Sequence, residues 1–206
     1  WKQGVSSYSN ITDFNQNDIF YSDFSGISWS APLNLSDNIP GAPSLTSLAW
    51  STKASMPLGK SSAASAVVNG KIYIFGGTQT VTNFAYDTNT DSWSQIADSP
   101  FGTDEGGAAT INNKIYVFGS VGSYNGLKVY DPSSNSWTVL ASSPNPGRFG
   151  GVSTVNGRLY VVGGADGSNN AFNTVQEYDP GTNSWTVKTG MPTARYGAGT
   201  VSLNNL

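Results

Sequence analysis

Residues 114–137 read KIYVFGSVGSYNGLKVYDPSSNSW, and the order of features in this stretch decides the fold. An aliphatic–Tyr pair, Ile115-Tyr116, sits in a short β-prone run that stops at Gly119-Ser120. Tyr130-Asp131 follows, and Trp137 stands six residues after that Asp. Between them Asp131-Pro132 reads as a tight turn, since Asp caps it and Pro pre-sets φ. The whole is a strand, a backbone break, a second strand, a turn and a third strand headed by an indole.

The same order recurs outward in both directions. Trp50, Trp93, Trp137 and Trp185 are spaced by 43, 44 and 48 residues, and each has a proline seven positions on, at Pro57, Pro100, Pro144 and Pro192. Twenty-two residues after the first three come Ile72-Tyr73, Ile115-Tyr116 and Leu159-Tyr160. These lead into Gly76-Gly77, Gly119-Ser120 and Gly163-Gly164, and then into Tyr86-Asp87, Tyr130-Asp131 and Tyr178-Asp179. Segments 64–68, 71–75 and 158–162 are short and β-prone, with Asn69-Gly70, Asn112-Asn113 and Asn156-Gly157 between or before strands. Asn-Gly between strands favours a type I′ hairpin. A period in the forties means stacked supersecondary units, each unable to bury its apolar faces alone.

Over roughly residues 50–206 the pattern resembles the kelch repeat: an apolar strand ending in Gly-Gly, then Tyr-Asp, then Trp. Ser120 replaces the second glycine in one repeat. The resemblance implies an all-β kelch-type propeller of four-stranded antiparallel blades, about four here or part of a larger propeller. On this reading residues 1–206 form one propeller unit. Residues 1–57 are a divergent first blade; 58–100, 101–144 and 145–192 are kelch repeats; 193–206 is a closing inner strand. The four tryptophans are then structural and pack between neighbouring blades.

The ends fit the pattern less well. Asp18–Tyr21 is similar to the later Lys-Ile-Tyr strands, but Ile19 precedes Trp50 by 31 residues against 21, 22 and 26 elsewhere. Ser22–Trp29 has a faint likeness to the Asp-box of sialidase-type propellers, with Phe24 where that motif carries Asp. Arg195–Leu203 repeats the innermost strand of 60–68, and a strand at 18–22 is available to pair with it. A compact ring of four blades and a segment of a larger ring, completed by further blades or another chain, both satisfy this arithmetic. The chain opens on Trp1, so a leader or more is expected to have preceded it.

Composition limits the chemistry. Only 11% of residues are charged and 12% aromatic, with 24 Gly and 10 Pro, a profile of many short strands and turns. Net charge is −3 and the ten basic residues are dispersed, so nucleic acid is not an expected partner. No apolar run approaches the roughly 18–20 residues that span a bilayer, and membrane insertion is not expected. The chain has no Cys and no His. That removes disulfides, His-ligated metals and Ser-His-Asp triads, and with them the copper chemistry of galactose-oxidase-like kelch enzymes. No cofactor, metal or catalytic residue is expected. The lightly charged, Ser/Thr/Asn/Gly-rich surface leans towards an extracellular or cell-surface setting. Sequons at Asn10 and Asn34 matter only in a glycosylating pathway.

In kelch propellers that capture acidic peptides, basic residues ahead of the innermost strand face the channel mouth. Here that place holds Arg148 and Arg195, with Asp104 in the second repeat and Ser61, beside Lys60, in the first. Convergent Arg and Lys would suit a carboxylate or sulfate. Phe149 and Tyr196, next to the two arginines, could stack on a sugar ring or a peptide. Asp104 and Glu105 oppose this pattern, because a carboxylate there neutralises a neighbouring Arg. Packing across a blade junction is the competing role for the arginines. Gln79, Tyr124, Asp166 and Asn169 are candidate rim residues, with Asp166-Gly167 also readable as turn chemistry. The expected function is a non-catalytic binding module for protein or glycan. A sialic-acid epimerase-like kelch enzyme, drawing on Asp104, Glu105 and Arg148, and a purely structural propeller unit are the alternatives.

Overall fold

A computed structural model describes residues 51–202 except 78–79, 120–121 and 123, together with the backbone of eight residues between 20 and 34. The chain divides into two compact units, Trp1–Thr52 and Lys53–Leu206. In the first, β1 (Phe20–Tyr21) pairs with β4 (Leu33–Asn34) and β2 (Phe24–Ser25) with β3 (Ser28–Trp29), both antiparallel.

The second unit is three four-stranded antiparallel meanders. The first runs β5 (Ala64–Val68), β6 (Lys71–Phe75), β7 (Asn83–Asp87) and β8 (Ser92–Ile96). The second runs β9 (Gly107–Ile111), β10 (Lys114–Phe118), β11 (Leu127–Asp131) and β12 (Ser136–Leu140). The third runs β13 (Gly151–Val155), β14 (Arg158–Val162), β15 (Val175–Asp179) and β16 (Ser184–Lys188). The opening strands lie side by side, β5 against β9 and β9 against β13. The Trp-bearing strands are the outermost of each sheet. These are propeller blades.

The repeat spacing now has a physical account. Tyr130 and Trp137 face each other across the β11–β12 ladder, with ring centroids 5.1 Å apart. Tyr86 with Trp93 and Tyr178 with Trp185 do the same at 5.0 and 5.2 Å. Each Asp after the Tyr closes the intervening turn through its Oδ1, which accepts the backbone N–H of Asn89, Ser133 or Gly181. Its other oxygen meets the cation opening the second strand: Lys71 at 3.1 Å, Lys114 at 3.0 Å or Arg158 at 2.6 Å. Asp131 is held down to about 2, chiefly by the Ser133 hydroxyl and Lys114.

Blades are stapled by one recurring device. The Trp137 indole N–H donates to Ala97 O at 2.9 Å, while Asn135 Oδ1 accepts Ala97 N–H at 2.9 Å and the Tyr130 hydroxyl at 2.8 Å. Trp185 and Asn183 hold Ala141 in the same way, and Trp93 and Asp91 hold Ala54. Asp91, Asn135 and Asn183 sit at φ of 51°, 49° and 50°, a left-handed conformation that Asp and Asn tolerate.

Between blades the core is continuous. Tyr73, Phe75 and Ala85 of the first blade bury against Ile115, Val117 and Tyr130 of the second. From the opposite face of the second blade, Tyr116, Phe118 and Leu127 bury against Leu159, Val161 and Tyr178 of the third. Strand β10 is therefore apolar on both faces, which is why Ile115-Tyr116-Val117-Phe118 reads as an unbroken apolar run. The glycine pairs end these strands where backbone approaches closely. A Cβ on Gly76, at φ +61°, would lie 2.4 Å from Thr103 O, and one on Gly163, at φ +66°, 2.4 Å from Arg195 O.

The third blade departs from the other two on its outward face. At the places of Ala85 and Val129 it carries Glu177, and at those of Ile96 and Leu140 it carries Lys188. Glu177 meets Tyr160, Lys188 and Arg158 there. The stretch expected as a closing inner strand, 193–206, is described to Ser202 and carries no ladder. It still runs beside β13: Gly197 N–H donates to Phe149 O at 2.9 Å, and the Thr200 methyl lies where a Cβ on Gly151 would stand. The expected strand at 18–22 falls partly outside the described residues.

Candidate functional site at the mouth of the blades

Each segment entering a blade contains one residue in the left-handed region, twelve positions after the preceding Trp: Ser62, Glu105, Phe149 and Gly197, at φ of 55°, 54°, 53° and 66°. Their backbones form a chain across successive blades. Glu105 N–H donates to Ser62 O, Phe149 N–H to Glu105 O, and Gly197 N–H to Phe149 O, at 3.2, 2.7 and 2.9 Å. This belt carries the side chains that crowd the mouth.

Arg148 is at the centre of the cluster. Its Nε and Nη2 donate to the two carboxylate oxygens of Glu105, the second bond at 2.7 Å, and its Nη1 donates to Asn169 Oδ1 at 2.9 Å. The guanidinium lies over the rings of Phe149 and Tyr124, 5.0 and 5.5 Å from their centroids. Glu105 raises the Arg148 pKa further still. The Asp104 carboxyl is pushed up, mainly by burial and then by Glu105. Beyond Phe149, at 6.2 Å and 30° between rings, Tyr196 stacks and leaves 48% of its surface exposed.

Four loops deliver this cluster. Glu105 and Arg148 come from the segments entering the second and third blades, Tyr124 and Asn169 from the β10–β11 and β14–β15 loops. The pieces are locked by backbone bonds from Gly147 N to Tyr124 O and between Arg148 and Ala165 in both directions. Asp166 is not in the cluster. Both its oxygens are used within its own loop, by Ser168 N–H, Asn170 N–H and the Asn170 amide, so the turn reading describes it. Gln79 lies outside the described residues.

Two of the expected basic residues are placed elsewhere. Lys60 turns into the first blade, where its ammonium donates to Gly76 O, Thr80 Oγ1 and Thr82 O at 2.6, 2.9 and 2.8 Å. Burial lowers its pKa. Arg195 stands level with Thr103 and not with Arg148, since Gly164 N–H donates to Arg195 O just as Gly77 N–H donates to Thr103 O. The residue level with Arg148, eleven after the Trp, is Tyr196. Among the described residues the Arg195 guanidinium has no hydrogen bond or ion pair. The cationic mouth expected from sequence is thus one arginine already paired with a carboxylate.

Sequence reasoning missed a second buried cation. Lys128, in β11, is wholly buried, donates to Phe101 O at 2.5 Å, and lies 4.1 Å from the Phe101 ring centre. Its counterpart in the third blade, Gln176, serves the equivalent loop by accepting Ser143 Oγ–H at 2.5 Å and Asn145 N–H at 3.1 Å. Among the described residues no group of three or more His, Cys, Asp and Glu side chains is placed to hold a metal ion, and no helix is long and apolar enough to cross a membrane.

Stacked four-stranded meanders joined by indole staples define a propeller protein. The family pattern described as KLHDC2/KLHL20/DRC7 Kelch-repeats domain matches residues 17–206, and the chain belongs to the kelch-repeat family. A search of curated proteins finds no match. Among solved structures, one titled "Structure of YjhT" is similar at a TM-score of 0.61 and 22% identity, over 66% of this chain and 53% of that one. That likeness bears on the fold, and this chain spans about half of the similar structure's length. Kelch propellers are commonly interaction modules that bind proteins.

Proposed function

We propose that this chain is a non-catalytic binding module, working outside the cell or at its surface, that recognises protein or carbohydrate through the loops at the mouth of its blades. One observation carries the reading. Four loops of two successive blades bring Glu105, Arg148 and Asn169 into one hydrogen-bonded group between the rings of Tyr124 and Phe149, edged by the half-exposed Tyr196. Such a grouping of aromatic faces and oriented polar atoms suits recognition, and loops on a rigid sheet scaffold are where binding residues concentrate. The surface setting is supported by the low charged fraction of 11%. The test is binding of the chain to glycan and peptide arrays, repeated with an Arg148→Ala/Tyr196→Ala double variant. Loss of the wild-type signals supports the mouth; signals unchanged in the double variant refute it.

A second reading has one observation in its favour. Asp104, with its carboxyl pKa raised, lies in the field of Arg148, and a poised acid of this kind can move a proton. A sialic-acid mutarotation assay decides it: turnover lost in Asp104→Asn would make the chain an epimerase-like enzyme, and no turnover leaves the binding module.

A further inference from the structure

The mouth contains an arginine whose charge is already met by a carboxylate. A ligand carboxylate takes two parallel N–H bonds from one edge of a guanidinium, and on Arg148 the Nε/Nη2 edge is occupied by Glu105 while Nη1 donates to Asn169. The pair is largely sheltered, with the two side chains 19% and 13% exposed. Glu105 holds this place from a left-handed backbone conformation at φ 54°. That conformation is strained for a residue with a Cβ, and Gly197 occupies the corresponding position two segments along the belt. The backbone there requires only a turn. The glutamate adds a side chain whose reach ends on Arg148.

Resting on the mouth as the binding site, we propose that Glu105 is a specificity determinant: a built-in carboxylate that fills the anion seat of Arg148, so that the mouth selects an uncharged carbohydrate over acidic ligands. Three features fit that class. Of the five guanidinium N–H groups, three are used by Glu105 and Asn169, leaving two to meet hydroxyl oxygens. The Asn169 side chain, whose oxygen is held by Arg148, offers its amide N–H groups to further hydroxyl oxygens. Tyr196 offers an exposed ring face, backed by Phe149, against which the C–H face of a sugar can lie. An acidic sugar or peptide meets instead a guanidinium already neutralised by Glu105, and the built-in carboxylate works against it.

The experiment compares wild type with Glu105→Gln, Glu105→Asn, Arg148→Ala and Tyr196→Ala on immobilised neutral oligosaccharides, their sulfated or uronic-acid counterparts, and neutral and acidic peptides. Asn is included because it tolerates a left-handed backbone, so one charge-removing variant retains the turn. Wild type is expected to favour the neutral sugar by about tenfold or more, and both Glu105 variants to move that ratio towards the acid by about tenfold, as a freed guanidinium edge would. A wild type that prefers acidic probes, or Glu105 variants with an unmoved ratio, overturns the proposal. Binding of peptides with no sugar bound overturns the carbohydrate class. Binding that survives both Arg148→Ala and Tyr196→Ala overturns the mouth itself, and so separates that failure from the failure of the selectivity.

Discussion

Replacing Lys128 by Met removes a titration that the fold has displaced by several pH units. The ammonium is wholly buried, accepted by one carbonyl and flanked by the rings of Phe101 and Trp137, with no carboxylate among its contacts. Burial lowers its pKa from 10.5 to about 7. In the unfolded chain the side chain keeps its proton up to about pH 10.4. Between these values unfolding takes up a proton, so raising the pH opposes unfolding and the wild type gains stability relative to the variant. Below about pH 7 both states of Lys128 are charged and the difference is flat. The slope is at most about 1.4 kcal/mol per pH unit. From pH 7 to 9.5 the gap therefore widens by about 3 kcal/mol, less whatever relaxation and water entry recover. Urea unfolding of both proteins at pH 6, 7, 8, 9 and 9.5 measures it, and using the difference cancels every other titrating group. Gaps that stay constant across the series, or that narrow as the pH rises, would refute the assignment of a suppressed proton to this side chain.

Two further outcomes follow from the staples and the close approaches. Trp137→Ala removes the indole bond to Ala97 and the contacts with Phe75 and Tyr130, and is expected to cost about 3–5 kcal/mol in urea unfolding; Trp137→Phe, which retains most of the packing, costs about 1–2. Gly76→Ala and Gly157→Ala both place a Cβ at positive φ, 61° and 73°, but only the first meets backbone, 2.4 Å from Thr103 O. Gly157→Ala is expected to lower stability by about 1 kcal/mol from conformation alone, and Gly76→Ala by clearly more; equal losses would show that the glycine pair answers to φ and not to contact.

The blades were legible because their grammar is local. Tyr, Asp and Trp fall at fixed offsets because a single hairpin sets them opposite one another, and every bond that the Asp makes lies within its own sheet. The glycine pairs were legible for a related reason, since a strand that ends under a neighbouring backbone has no room for Cβ. The belt of left-handed residues was present at a constant offset from each Trp, but Ser, Glu, Phe and Gly share no property that would flag it. Lys128 was hidden by an apolar strand pattern in which one charged residue reads as solvent-facing, although both faces of that strand are covered.

From the sequence alone came the kelch repeat, the four-stranded meander within it and the structural duty of the indoles, because short-range spacing dictates which side chains meet across a hairpin. Tertiary structure decided what the mouth is. Arg148 and Glu105 lie 43 residues apart on consecutive blades, and nothing periodic links them. Only the stacking of the sheets sets the two side chains within hydrogen-bond reach, turns Lys60 away into its own blade and shifts Arg195 off the level of Arg148. A row of cations expected from one-dimensional spacing became, once packed, a single guanidinium whose charge is already answered.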